Sequence, residues 1–166
     1  MKQEKIKKHS KGVNATDREI TMKIDLTKLH YPFKSKPLLV GGETKEYYGI
    51  RKSGHDTDLI VTNDDYEELA KLYPENLKDL WGDFGVCVFD FEIWKTICLF
   101  DYAYLSEKAL EKDDYLIISL EKLLFLTALA MNKEKYHKDL ELIVKKILEI
   151  KYKDFDDSKY RDNTGN

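Results

Sequence analysis

The sequence predicts an α+β domain in which a small mixed β-sheet is flanked by helices and followed by a C-terminal pair of helices. Two kinds of pattern lead to this prediction. Short apolar runs rich in strand formers are separated by glycine turns or polar segments, and they lie at 38–40, 59–61, 86–94 and 115–118. Two longer segments, 119–131 and 134–150, carry apolar residues at helical spacing.

A chain of 166 residues is long enough for one domain with a core and too short for two ordinary ones. We expect a flexible basic arm at 1–20, the folded domain at 21–150 and a flexible tail at 151–166. The lysines of the arm either keep the chain in solution or contact nucleic acid. Residues 20–29 alternate in part, which is typical of an extra strand or of a short lead-in segment.

The balance of charges excludes a global field that would attract polyanions, because the formal net charge is only −3. Cys87 and Cys98 show no metal-ligand spacing, and we expect two reduced, largely buried thiols. No apolar run approaches the length of a membrane span, and the first residues lack the apolar core of a signal peptide. These observations predict a cytoplasmic protein without a membrane partner.

The first strand, Leu38–Val40, ends at the glycine pair Gly41–Gly42. A polar segment at 43–48 is predicted to be a helix, and a turn at Ser53–Gly54 leads to the second strand. Free amide groups at the start of that helix would suit a phosphate, since glycine lets it approach the backbone.

Two carboxylates stand where the second strand begins. Asp56 and Asp58 are two residues apart, so in an extended chain both side chains project to the same side. The two carboxylates repel each other unless a cation lies between them. Mg²⁺ prefers oxygen ligands of this kind together with substrate phosphates.

The middle of the chain is predicted to contain one more helix and one long strand. The stretch Thr62-Asn63-Asp64-Asp65 resembles a helix cap and leads into a helix that reaches Leu72, and Pro74 ends it. We expect a connector at 76–81, a turn at 82–85 and a strand at 86–94. On that strand Asp90 and Glu92 would share one face, where buried acids are costly unless they are paired or bound to a metal.

The C-terminal third is predicted to be mainly helical. After an apolar segment at 97–104, a helix could begin at Leu105, and a short strand follows at 115–118. Ser119 is placed to cap the next helix. The apolar stripes of the last two helices are assigned to the core, not to a cofactor site.

The combination of Val40-Gly41-Gly42, Tyr48-Gly49, Arg51 and Asp56-x-Asp58-Leu59-Ile60-Val61 resembles the signature of the nucleotidyltransferase superfamily related to DNA polymerase β. It is most similar to the minimal nucleotidyltransferases and their toxin–antitoxin relatives. The resemblance covers roughly residues 37–147. It implies the nucleotidyltransferase fold, with a third carboxylate on a later strand.

The resemblance also implies a set of functional residues. Asp56, Asp58 and Glu92 would be the catalytic and metal-binding carboxylates, with Asp90 as the alternative for the third position. A glutamate there departs from the usual aspartate of the family. The residues assigned to the nucleotide are Gly41, Gly42, Lys45, Arg51, Ser53 and Lys135. Lys135 and Asp139 lie on one helical face, so Lys135 either contacts a phosphate or forms an ion pair with Asp139.

The implied reaction is the transfer of a nucleoside monophosphate from a nucleoside triphosphate, with ATP among the candidates, to a hydroxyl acceptor. Two Mg²⁺ ions would assist it. The acceptor would be the end of an RNA such as tRNA, or a protein. The alternatives are a small-molecule adenylyltransferase of the antibiotic-modifying kind and a catalytically inactive binding module with the same fold.

Overall fold

The structure is a computed structural model that describes Met22 and residues 24–162. Its strands are β1 Leu38–Val40, β2 Thr57–Ile60, β3 Leu77–Leu80, β4 Asp83–Val88, β5 Phe91–Trp94, β6 Thr96–Ile97, β7 Phe100–Asp101, β8 Leu110–Glu111 and β9 Leu116–Ile117. Its α-helices are α1 Gly41–Tyr47, α2 Asn63–Leu72, α3 Tyr102–Leu105, α4 Leu120–Leu129, α5 Lys135–Lys151 and α6 Asp157–Asp162. Two 3-10 turns lie at Leu26–Leu29 and Pro74–Asn76.

Seven of these strands form one mixed sheet in the order β3-β4-β5-β2-β1-β9-β8, and β6 and β7 form a separate hairpin. The pairs β2–β5 and β1–β9 are parallel, and the other pairs are antiparallel. The predicted α+β class with a mixed sheet is therefore confirmed. Within the described residues, no helix is both long and apolar enough to cross a membrane.

The central strands are buried on both faces, which explains why they appear in the sequence as continuous apolar runs. Leu39 and Leu59 face the core that contains α2, whereas Leu38 and Ile60 face the core that contains α4 and α5. Leu123 of α4 and Ile143 of α5 are at most 2% exposed and belong to this second core. The predicted C-terminal helical pair thus covers one face of the sheet.

The predicted strand at 86–94 is wrong as a single element, because a two-residue turn at Phe89–Asp90 divides it into β4 and β5. The backbone of Phe89 is left-handed, with φ 55°, and no glycine marks the turn. The predicted connector at 76–81 is likewise wrong, since Leu77–Leu80 forms the edge strand β3. Its turn to β4 lies at Trp81–Gly82.

Other boundaries differ from the predictions at both ends of the chain. The helix expected to begin at Leu105 instead ends there, because α3 spans Tyr102–Leu105. Leu26–Leu29 is a 3-10 turn, not a strand. The predicted arm at 1–20 lies outside the described residues, and the predicted tail contains the short helix α6.

Asp65 forms hydrogen bonds that connect residues 31–35 to the start of α2. Its side chain is fully buried and accepts hydrogen bonds from the Tyr31 hydroxyl at 2.8 Å, the Thr62 hydroxyl at 2.9 Å, and the backbone N–H groups of Lys34 and Ser35 at 2.9 and 3.2 Å. Burial alone would raise the pKa of Asp65, but these hydrogen bonds outweigh it and lower the pKa below its usual range.

We expect Asp65→Ala to lower the free energy of unfolding by about 3 kcal/mol or more, because several buried donors lose a charged acceptor at once. Asp64→Ala is the control, since Asp64 is the exposed neighbour in the same helical turn. Urea denaturation at neutral pH measures both variants. A loss at Asp65 no larger than the loss at Asp64 would show that this network contributes little to stability.

Candidate functional site

Asp58 and Glu92 lie side by side on neighbouring parallel strands. Asp58 of β2 is the direct register partner of Glu92 of β5, so their side chains project from the same face of the sheet. On its other side Asp58 is paired with Val40, the last residue of β1. This is the face that also carries α5. Asp56 comes just before β2 at the same end of the sheet.

The diglycine turn fits closely against this carboxylate. Gly41 has a left-handed backbone, with φ +76°, and a Cβ atom built there would lie 2.0 Å from Asp58 Oδ2. At Gly42 the nearest atom to such a Cβ would be the backbone nitrogen of Gly54, at 3.4 Å. Glycine at position 41 is therefore required both by the backbone conformation and by the approach of Asp58.

A cavity of about 610 Å³ opens beside these groups. Its lining consists of Gly41, Gly42, Lys45, Arg51, Gly54, His55, Asp56, Asp58, Glu92, Lys135, Tyr136 and Asp139. It therefore brings together every functional residue assigned from the sequence except Ser53. The backbone N–H and hydroxyl of Ser53 both donate to Glu46, and Ser53 lines a separate cavity.

Asp90, the alternative third carboxylate, lies outside this lining. It sits in the β4–β5 turn, where its Oδ2 accepts a hydrogen bond from Lys28 Nζ at 3.1 Å. The sequence-based assignment of Asp90 and Glu92 to one strand face fails because the turn reorients Asp90. Glu92 keeps its place on the strand beside Asp58.

Negative charge is concentrated around Asp58. Burial raises the pKa of Asp58 to about 7, and repulsion from Glu92, Glu43 and Asp56 adds to this effect, while Lys45 opposes it. Burial also raises the pKa of Glu43, whose Oε1 accepts a hydrogen bond from Thr57 at 3.0 Å. The other carboxylate oxygen of Glu43 is buried without a hydrogen-bond partner.

The chemistry of this donor set fits Mg²⁺. The donors are all carboxylate oxygens, and their mutual repulsion is what a hard divalent cation relieves. Within the described part of the chain, no three His, Cys, Asp or Glu side chains already stand close enough together to form a finished metal-ligand group. Asp56, Asp58 and Glu92 would therefore have to reorient to hold one cation together.

The cavity lining also contains two cationic side chains, Lys45 and Arg51, around the buried carboxylate of Asp139. Asp139 of α5 accepts hydrogen bonds from Lys45 Nζ at 2.7 Å and from Arg51 Nε at 2.8 and 3.0 Å. Burial alone would raise the pKa of Asp139, but the hydrogen bonds and charges of Arg51 and Lys45 lower it overall. Lys45 Nζ also lies 4.7 Å from the centre of the Tyr136 ring.

The ion pair between Lys135 and Asp139 that the helical spacing suggested is not formed. Lys135 Nζ lies 4.8 Å from the centre of the Tyr136 ring instead, and Asp139 is occupied by residues of α1 and of the following loop. No sequence pattern predicts a role for Glu43 or Tyr136. The burial of Asp139 is indicated in the sequence by its position, because it lies four residues before Ile143 and so falls on the apolar face of α5.

The expected burial of both cysteines is half right. Cys87 is partly buried on β4, whereas Cys98 is exposed in the β6–β7 turn, and the two form no disulfide with each other.

Comparison with family models, with curated proteins and with solved structures gives no match for this chain.

We expect Gly41→Ala to be more destabilising than Gly49→Ala by about 2 kcal/mol, which is typical of overpacking. Both glycines have left-handed backbones, with φ +76° and +71°, so both variants carry similar backbone strain. A Cβ at position 41 would clash with the Asp58 side chain, whereas a Cβ at position 49 would meet nothing within 4 Å. Chemical denaturation of the two variants gives the comparison, and equal losses would mean that Asp58 moves aside freely.

Proposed function

We propose that this protein is a Mg²⁺-dependent nucleotidyltransferase that transfers a nucleoside monophosphate from a nucleoside triphosphate to a hydroxyl acceptor in the cytoplasm. The observation that carries the proposal is the register pairing of Asp58 with Glu92 directly against the Gly41 turn. The order of motifs in the sequence, which resembles the nucleotidyltransferase superfamily, supports the same assignment.

The carboxylates of Asp56, Asp58 and Glu92 would hold the metal. When bound, Mg²⁺ would neutralise charge on the phosphates and on the attacking and leaving oxygens. The backbone N–H groups of the Gly41–Gly42 turn, beside Asp58, would bind the phosphates. The cavity is large enough, at about 610 Å³, for much of a nucleotide.

In the transfer step the acceptor oxygen forms a bond to the α-phosphorus, and the bond from that phosphorus to the bridging oxygen breaks. The electron pair of the broken bond leaves with pyrophosphate. Glu92 lies beside Asp58, and we propose that its carboxylate accepts the proton of the attacking acceptor hydroxyl. Lys45 and Arg51, oriented by Asp139, would stabilise the charge of the departing pyrophosphate.

The acceptor we favour is the end of an RNA or a protein hydroxyl, as the resemblance implies. Lys135 and Tyr136 at the cavity rim offer a cation and an aromatic ring to such a partner. A small-molecule acceptor and a non-catalytic binding role are separate outcomes of the same experiment.

The test is a screen of the four α-labelled nucleoside triphosphates against total RNA, total protein and a panel of hydroxyl-bearing small molecules. We expect label transfer with Mg²⁺ and none with a chelator. Glu92→Gln is expected to lose the transfer, whereas Asp90→Asn keeps it because Asp90 lies outside the cavity lining. Absence of both transfer and Mg·nucleotide binding by calorimetry would refute the proposal, and binding without transfer would favour the non-catalytic module.

A further inference from the structure

The side chains around the cavity of the candidate functional site are almost all ionic. Apart from three glycines, the lining consists of seven charged residues, His55 and Tyr136. Pockets for small organic molecules are usually lined mainly by apolar and aromatic side chains, with a few polar groups that fix orientation. Among the described residues, this cavity offers one tyrosine ring, one imidazole and no aliphatic apolar side chain. Its chemistry therefore suits the metal ions and phosphates of a nucleotide better than the base.

The Tyr136 ring lies close to two ammonium groups. Lys45 Nζ is 4.7 Å from the ring centre, and Lys135 Nζ is 4.8 Å from it. The attraction to Lys45 is little screened by water, because the Lys45 side chain is buried. A base that stacked where either ammonium group lies would displace it from the ring, and this loss would offset the gain from stacking. These distances favour a ring that positions the two lysines over a ring that stacks on a base.

The arginine of the lining forms its hydrogen bonds with the protein itself. The edge of a base is often recognised by the paired donors of an arginine or by the side-chain amide of Asn or Gln. Arg51 Nε donates to both carboxylate oxygens of Asp139, at 2.8 and 3.0 Å, and Arg51 Nη1 donates to the Lys52 carbonyl at 2.9 Å. No Asn or Gln of the described residues lines the cavity. The lining therefore provides charge for phosphates and little that distinguishes one base from another.

We propose that the cavity binds the metal–triphosphate part of the nucleotide and leaves the base outside, so that all four nucleoside triphosphates are comparable substrates. This inference rests on the proposed nucleotidyltransferase function and specifies its substrate class. Lys45 and Arg51 share the carboxylate of Asp139, and Lys135 lies at the same ring as Lys45. Three cations thus surround one carboxylate, and the excess of positive charge attracts phosphates. Tyr136 is a positioning residue that acts through Lys45 and Lys135.

Titration calorimetry of the full chain with five ligands tests the proposal. The ligands are the Mg²⁺ complexes of the four nucleoside triphosphates and of inorganic tripolyphosphate, which has the phosphate chain without a base. We expect dissociation constants for the four nucleotides within about threefold of one another, and for tripolyphosphate within about tenfold of these. One nucleotide that binds on the order of tenfold more tightly than the other three would overturn the proposal and leave the transfer reaction standing. If none of the five ligands binds, the proposal and the proposed function both fail.

Substitution of Tyr136 separates positioning of the lysines from stacking on a base. Tyr136→Leu removes the ring, and we expect it to weaken the binding of tripolyphosphate and of all four nucleotides alike, by about fivefold. Tyr136→Phe keeps the ring and is expected to bind all five ligands as the wild type does. A loss confined to the nucleotides would show that the ring stacks on the base, and this result would overturn the proposal. Unchanged binding by Tyr136→Leu would equally remove its positioning role.

Tyr152→Leu is the matched control. Tyr152 directly follows α5, is exposed and lies outside the lining of the cavity, so this variant is expected to bind all five ligands normally. Lys135→Gln provides a second test should Tyr136→Leu fail to fold, since Lys135 is exposed. We expect Lys135→Gln to weaken tripolyphosphate and the four nucleotides by the same factor. A different factor for each nucleotide would show that the bases contact this part of the cavity and would contradict the proposal.

Discussion

Asp58→Asn is expected to abolish nucleotidyl transfer while making the metal-free protein more stable. An amide keeps the size of the side chain but removes the charge that would hold the proposed metal. We expect the rate of transfer to fall on the order of 10³-fold or more, because metal-assisted charge stabilisation is lost in the transition state. The measurement is the initial rate of label transfer at saturating Mg²⁺.

The gain in stability follows from the pKa of Asp58, which is raised from 3.8 to about 7 in the folded protein. Between these two values the folded protein holds a proton that the unfolded chain has released. The free energy of unfolding therefore falls as the pH rises from about 4 to about 7, and the loss persists above pH 7. A pKa difference of about 3 corresponds to an upper limit of about 4 kcal/mol.

Asparagine at position 58 does not titrate. The free energy of unfolding of Asp58→Asn should therefore exceed that of the wild type only slightly at pH 4 and by the largest amount at pH 8. Urea denaturation in the presence of a chelator at the two pH values measures it. Asp64→Asn, which replaces an exposed carboxylate, is the control and should show little change. If Asp58→Asn were less stable than wild type at pH 8, the carboxylate would be stabilised by its surroundings and the metal assignment would weaken.

Asp139→Ala is expected to destabilise the protein by about 3–5 kcal/mol, which is the usual result of leaving a buried charge without its partner. The Lys45 side chain is only 5% exposed, so its charge is poorly hydrated when Asp139 is lost. Arg51 differs, because its side chain is 39% exposed and can be hydrated when Asp139 is lost. The stability loss should therefore be due mainly to Lys45.

The double variant Lys45→Met with Asp139→Leu separates these contributions, since an apolar pair of similar volume can replace a buried ion pair at little cost. We expect it to recover most of the stability lost in Asp139→Ala. Glu141→Ala on the exposed face of α5 serves as the control, because its ion pair with Lys138 lies at the surface. Failure of the double variant to recover stability would mean that Asp139 acts mainly through Arg51.

The elements that could be predicted from the sequence are those with strong periodicity or buried apolar runs. The helices α4 and α5 and the strands β1 and β2 lie where the patterns indicated. The turn at Phe89–Asp90 could not be predicted, because Phe89 adopts a left-handed backbone that its residue type disfavours. Two-residue strands such as β8 contain too little sequence to show a period.

The local spacing of residues predicts the Asp56–Asp58 pair of the cavity, but it does not predict the contacts of Lys45 and Arg51 with Asp139. Asp56 and Asp58 are recognisable because they adjoin one strand. Asp139 lies 94 residues from Lys45 and 88 residues from Arg51, so no local pattern connects them. The spacing of Lys135 and Asp139 also allows a local ion pair, but Asp139 pairs with Lys45 and Arg51 instead.

The long sequence separation of the Lys45–Asp139 pair bears on biosynthesis. A nascent chain that has emerged from the ribosome only as far as β9 already contains the glycine turn and all three carboxylates, yet Lys45 has no counter-ion. The pocket is finished only when the last long helix is released and docks. The proposed activity would therefore require α5 to have emerged and docked.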